Sequence, residues 1–184
     1  SKDNLKPDVA KKVKSWDWNF DWAYDYMYWI EKDYRLVKTA KVWCFLHWDW
    51  IANVIHWDWL DSFWESKKYR WKLKIDWHNS KENKDNWNFD LVLSNPPYSV
   101  WAFKSNLKEY AKDDFELFSK LTEQSSEIEA LFIERTSQLL KEWWIAWIIL
   151  PSSILSNTWI YTKAREIILK DFDIVAITEL GSNT

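Results

Sequence analysis

Apolar residues along this chain gather into short runs of β-branched and aromatic side chains, and between those runs they recur at helical spacing. Tyr26-Met27-Tyr28-Trp29-Ile30-Glu31 reads as a strand closed by a carboxylate, and Lys32 to Leu46 follows with Leu36, Ala40, Val42 and Phe45 at helical intervals. Ala52-Asn53-Val54-Ile55-His56 is a second strand, ended by Asp58. Residues 64–88, rich in Lys, Asn, Asp and Trp, form a connection long enough to be a functional or mobile loop. Phe89 to Leu93 is the third strand. Pro96 and Pro97 have no N–H to give to a ladder, so they stop it. Ala102 to Tyr110 reads as a short helix, and Asp113 to Ser126 as a polar insertion. Ile128 to Lys141 is an amphipathic helix with Leu131, Phe132, Leu139 and Leu140 toward the core. Ile145 to Leu150 is a buried strand stopped by Pro151, Tyr161 to Lys170 a helix with Ile167, Ile168 and Leu169 inward, and Phe172 to Leu180 a final strand. Strands alternating with helices predict an α/β fold built on a mostly parallel, doubly wound sheet. Residues 1–23 are polar, lack sustained periodicity and read as a poorly structured lead-in.

The third strand runs straight into Ser94-Asn95-Pro96-Pro97-Tyr98. Asn95 therefore stands at the carboxyl end of a strand, the edge at which open α/β sheets bind ligands. The Asn95 side-chain oxygen and the neighbouring Pro96 carbonyl can both accept hydrogen bonds from one exocyclic amine, and Tyr98 supplies a face on which a planar ring stacks. An isolated Asn-Pro-Pro-Tyr is also an ordinary turn former. The strand directly before it favours the functional reading.

With this motif the chain resembles the adenine-specific DNA methyltransferases, in which Asn/Asp-Pro-Pro-Tyr/Phe holds a flipped-out adenine while S-adenosylmethionine donates a methyl group. Base flipping is the general route to chemistry on a stacked base. The resemblance implies a Rossmann-like S-adenosylmethionine-dependent methyltransferase fold, with Asn95, Pro96, Pro97 and Tyr98 as catalytic residues. It also implies cofactor roles for two carboxylates. Glu31, ending the first strand, is placed to accept from the cofactor ribose, an arrangement common to nucleotide-binding α/β folds; its alternative is a pairing with lysine. Asp58, ending the second strand, corresponds to the acidic residue that accepts from the cofactor's adenine amine. Asp33 reads instead as a helix N-terminal residue.

Composition adds an anomaly. The chain has one Gly and 18 Trp in 184 residues, where average usage of about 7% Gly predicts roughly 13. The Trp residues stand where turns call for Gly: Trp48-Asp49-Trp50, Trp57-Asp58-Trp59, Trp77, Trp87 and Trp143-Trp144. Trp and Gly are opposites in backbone freedom and volume. The pattern is that of UGA codons meaning Gly but read as Trp. With Gly restored, residues 46–60 closely resemble the modification subunit of type I restriction–modification systems, and the likeness runs from about Tyr28 to Thr184. That family's Gly-rich first motif does not precede Glu31, even on this reading. The expectation is a partial catalytic domain over 24–184 that lacks the first strand of the sheet.

A 184-residue chain can bury a core without disulfides. Cys44, the sole cysteine, cannot form an internal bridge and suits a reducing cytoplasm. His47, His56 and His78 show no metal-ligand spacing, Ser152 and Ser153 lack a nucleophile elbow, and no metal is expected. Trp143 to Leu150, the longest apolar run, is too short to span a bilayer. A net charge of −3 is unusual for a chain that grips DNA unaided. The resemblance supplies the partners: double-stranded DNA, with specificity and restriction subunits. Lys67-Lys68-Tyr69-Arg70-Trp71-Lys72-Leu73-Lys74 is the candidate phosphate contact, with a solvated loop face as its plainer reading. Methylation of RNA or protein amines, a Trp-rich binding module and an inactive fragment are the alternatives.

Overall fold

The computed structural model describes residues 24, 26–63, 65–72 and 89–181. The chain divides into two compact units, 1–75 and 76–184. The lead-in over 1–23 and most of the predicted connection, including Trp77, His78 and Trp87, lie outside the described residues.

In the first unit, β1 (Trp29–Glu31) pairs in parallel with β2 (Val54–His56), with Ile30 opposite Ile55 and Glu31 opposite His56. Between them runs α1 (Tyr34–Leu46). Asp33 caps it by accepting from the Arg35 N–H at 2.8 Å, which satisfies one of the N–H groups that a helix start leaves without a partner. Val37 and Ala40, one turn apart, pack with Val54 in one buried apolar cluster, with Cys44 and Ala52 against it. Leu36, Val42 and Phe45 face outward. After α1 the chain closes a Schellman turn: the Trp48 N–H donates to Phe45 O at 3.1 Å and the Asp49 N–H to Cys44 O at 2.9 Å. Such a turn needs a left-handed residue after the cap, and Trp48 takes that conformation with φ 67°. Further on, α2 (Lys67–Lys72) takes up part of the basic run.

The second unit carries the parallel pair β3 (Phe89–Ser94) and β4 (Leu140–Ile148), with Val92 opposite Ala146 and Ser94 opposite Ile148. Both described pairs are thus parallel, as the strand–helix alternation predicts, and each is two-stranded among the described residues. β4 begins five residues earlier than the apolar pattern suggests. Phe89 pairs with Leu140 and Leu91 with Ile145, so extra residues bulge out of β4, and Trp143 on that bulge has φ 67°.

The predicted helix over 102–110 is instead a 3-10 turn (Phe103–Asn106) followed by the short α3 (Glu109–Lys112). The predicted polar insertion contains a second 3-10 turn, Leu117–Lys120, with Leu117 buried. The long helix α4 (Ile128–Leu139) is buried nearly all round. Leu131, Phe132, Leu139 and Leu140 are buried as predicted, although Leu140 opens β4. The polar side of α4 is buried too. Arg135 is fully enclosed, pairs with Asp114 at 3.0 Å, donates to Gln138 Oε1 at 2.8 Å and lies over the Phe115 ring. A short α5 (Ser153–Ser156) follows β4, and then α6 (Ile160–Asp171) packs on α4.

Two expectations are corrected. The buried face of α6 is Ile160, Tyr161 and Ala164; of the three residues expected inward, Ile167 and Ile168 are half-buried and Leu169 is exposed. Residues 172–180 do not form a strand: they belong to no regular element, and Ile174, Val175 and Ile177 are exposed. A strand exists only through a neighbour that completes its ladder, and none of the described strands pairs with this segment.

Candidate functional site

At the carboxyl end of β3 the chain leaves the sheet as Asn95-Pro96-Pro97-Tyr98. The neighbouring strand holds this edge firmly, since the Ile149 N–H donates to Ser94 O at 3.0 Å. Asn95 therefore begins where the ladder ends. Pro96 is buried, whereas Asn95, Pro97 and Tyr98 are exposed. The Tyr98 hydroxyl donates to Asn95 Oδ1 at 3.3 Å, so the amide oxygen and the phenol share one corner. Ser99 and Ala102, just past the tip, both have φ 50°. Two L-residues in the left-handed region within four positions mark stored backbone strain, which concentrates at binding sites.

The strand edge beside this tip is Pro151-Ser152-Ser153, where β4 turns into α5. Further along the second unit, the Tyr161 hydroxyl of α6 donates to Glu129 Oε1 at 2.5 Å. Glu129, in the first turn of α4, is 0% exposed, and its Oε2 has no hydrogen-bond partner among the described residues. Burial, followed by the bond to Glu129, pushes the Tyr161 hydroxyl up to about 12. Burial, then the charge of Glu129, also raises Tyr98 above the ordinary phenol value. Neither Glu129 nor Tyr161 stands out in the sequence. An acid in the first turn of a helix reads as a solvated partner of the helix dipole, and only the packing of α6 on α4 buries it.

The two predicted cofactor carboxylates belong to the first unit and meet at one strand edge. Glu31 ends β1 and Asp58 follows β2 by two residues, the Trp57 N–H donating to Glu31 O at 3.0 Å. Glu31 Oε1 accepts from the Asp33 N–H at 2.7 Å. Asp58 is more fully engaged. Its Oδ1 accepts from the Leu60 N–H at 3.0 Å, and its Oδ2 pairs with Lys32 at 2.6 Å. The Tyr69 hydroxyl donates to Asp58 O at 2.6 Å, which ties α2 to this corner. The lysine that the sequence offers as a partner for Glu31 thus pairs with Asp58. Lys68, from the basic run, donates to His56 O and lies over the Trp57 ring at 4.3 Å, so it is engaged with the protein surface. Trp59 stands edge-on to Phe63, and its indole N–H is buried without a partner among the described residues.

Asp33 is held at about 2 by its hydrogen bonds from the Arg35 guanidinium and N–H, in keeping with a capping role. Among the described residues no group of three or more His, Cys, Asp or Glu side chains could hold a metal ion.

These features define a class: an α/β protein with parallel strand pairs, acceptor side chains at the carboxyl ends of its strands, and an amide–phenol corner suited to an amine. The Eco57I restriction-modification methylase family matches residues 25–184, and the chain belongs to that family. It is a methyltransferase of the restriction–modification kind, whose substrate is DNA. No curated protein matches it. No helix among the described residues is long and apolar enough to cross a membrane.

Proposed function

We propose that this protein methylates the exocyclic amine of adenine in DNA, using S-adenosylmethionine, with Asn95, Pro96, Pro97 and Tyr98 as the target pocket. The observation that carries the reading is the Asn95 amide oxygen at the carboxyl edge of β3, bonded to the Tyr98 hydroxyl, in a chain of a methylase family. Asn95 Oδ1 and Pro96 O accept the two amine hydrogens and draw the nitrogen lone pair out of conjugation with the ring. Tyr98 fixes the ring by stacking, and burial of Pro96 keeps this acceptor pair rigid. The chain contributes orientation and electrostatics without a covalent intermediate.

The chemistry that S-adenosylmethionine supplies is an activated methyl on sulfur. Glu31 suits its ribose, because the Asp33 N–H anchors Oε1 and so orients the carboxylate at the end of β1 toward a hydroxyl donor. Asp58 suits the adenine amine of that cofactor once Lys32 releases Oδ2; Lys32 is 64% exposed, so the exchange costs little. Residues 24–184 are the catalytic domain on this reading. Specificity and restriction subunits of a type I system in the cytoplasm fit the resemblance of residues 46–60 and the net charge of −3, which leaves much of the DNA affinity to a partner.

Trp48, Trp143 and Trp159 stand, on the same reading, where the natural chain has Gly. Their φ values of 67°, 67° and 62° support it, since only Gly enters that region without penalty. The nucleotide sequence tests this directly: UGA at those codons agrees, and UGG refutes it. For the site, Asn95→Ala is expected to abolish methyl transfer while S-adenosylmethionine binding by calorimetry is kept; full activity in that variant refutes the pocket.

A further inference from the structure

Lys32 follows β1 and reaches across to the end of β2. Its carbonyl oxygen lies 3.1 Å from His56 Nε2; a carbonyl has no proton to give, so that ring nitrogen is the donor. Its ammonium lies 2.6 Å from Asp58 Oδ2. One residue is thus fastened twice, through its peptide to the last residue of β2 and through its side chain to the carboxylate two residues beyond. The Tyr34 ring, at the start of α1, packs on the His56 ring with 5.3 Å between centroids and supports the imidazole in that position. Asp58 is fixed as well: its Oδ1 accepts from the Leu60 N–H at 3.0 Å, and its carbonyl accepts from the Tyr69 hydroxyl at 2.6 Å. The carboxylate oxygen that remains for a ligand is the one Lys32 occupies.

Resting on the reading of Asp58 as the acceptor for the cofactor's adenine amine, we propose that Lys32 is an internal competitor at that site. Its ammonium stands in for the amine, and His56 keeps it there until adenosine displaces it. Both groups donate N–H to a carboxylate oxygen, so the acceptor is satisfied with or without ligand. Lys32 thereby sets how tightly adenosine is held. The side chains of Lys32 and Asp58 are 64% and 23% exposed, so water screens the pair and the competition is modest. An exposed ion pair of this kind is worth about a factor of two to five in an equilibrium constant. His56 acts through Lys32 and is a positioning residue.

S-adenosylhomocysteine is the probe, since it carries the adenosine end without the sulfonium charge that a lysine would repel. By calorimetry, Lys32→Met is expected to bind it about twofold to fivefold more tightly than the parent. His56→Phe keeps a ring against Tyr34 but loses the hydrogen bond to Lys32, and it shifts the affinity the same way by less. The analogue with inosine in place of adenosine has an oxygen where the amine was, so Lys32→Met does not tighten it. Asp58 Oδ2 has two lone pairs, and sharing between amine and ammonium would leave Lys32→Met no tighter than the parent for S-adenosylhomocysteine. That result, or equal tightening of both analogues, overturns the proposal.

A second readout uses the parent protein and no activity. With 15N-labelled lysine, and the Lys32 ammonium assigned through Lys32→Met, saturating S-adenosylhomocysteine is expected to move that resonance to the position it has in Asp58→Ala. An unmoved Lys32 resonance overturns the proposal. Asp58→Ala also separates the competition from its premise. If it weakens S-adenosylhomocysteine while Lys32→Met leaves the affinity unchanged, the cofactor reading of Asp58 stands and the competition is refuted. If Asp58→Ala binds the probe as tightly as the parent, or no form of the protein binds it, the reading of Asp58 fails and the proposal falls with it.

Discussion

Replacing Trp48, Trp143 and Trp159 by Gly should stabilise this protein, which inverts the usual outcome of removing three large aromatics. Trp48 and Trp143 adopt the left-handed conformation at φ 67°, and Trp159 at φ 62° and ψ −123° occupies a region that L-residues scarcely enter. A left-handed L-residue costs roughly 1–2 kcal/mol, and a more extreme outlier about 1–3. Gly removes that cost and returns roughly 0.5–1 kcal/mol through the greater freedom of its unfolded chain. Little burial is forfeited, since the three side chains are 74%, 93% and 66% exposed. The expected net gain is about 2–3 kcal/mol for the triple variant, an increase of roughly 5–10 °C in Tm for a chain of this size. Urea unfolding followed by far-UV circular dichroism, with thermal melting beside it, measures both. Trp147→Gly is the control, because Trp147 lies within β4 opposite Leu93 and is not among the positive-φ residues. There Gly should destabilise by about 0.5–1 kcal/mol. A triple variant no more stable than the parent, or a gain in Trp147→Gly equal to the others, refutes the argument from backbone strain.

The enclosed Arg135–Asp114 pair predicts that Asp114→Ala costs about 3–5 kcal/mol by urea titration, since it strands a buried guanidinium; a loss under about 1 kcal/mol contradicts this. Burial outweighs the N–H bonds from Glu116 and Leu117 and lifts Glu134 from its ordinary value to about 7. A carboxyl with a raised folded-state pKa contributes most while protonated in both states, below the ordinary carboxyl range, and that contribution is lost as pH rises through about 7. Stability of the parent should therefore decline between about pH 5 and 7.5 by an amount that Glu134→Gln abolishes; parallel pH profiles for the two proteins refute the assignment.

The sequence determined the pieces that depend on neighbours along the chain. The parallel strands, the capping by Asp33 and the break at Pro96-Pro97 all follow from spacing, side-chain hydrogen-bonding capacity and the missing proline N–H. The same local logic exposed the Trp residues at turn positions, because a left-handed site is a demand of the backbone that the residue type either meets or violates. The α4 helix shows where that logic stops: its apolar stripe was legible, yet its Glu and Arg are enclosed because the 3-10 turn after Glu116 and the helix α6 pack over its polar side. Only tertiary structure assigned Lys32 to Asp58, enclosed Glu129 on α4 with one carboxyl oxygen unbonded among the described residues, and withheld from residues 172–180 the neighbour that a strand requires. Those outcomes turn on which surfaces meet. Periodicity within a segment reports which side is apolar, but desolvation and pairing are decided by the partner that covers it.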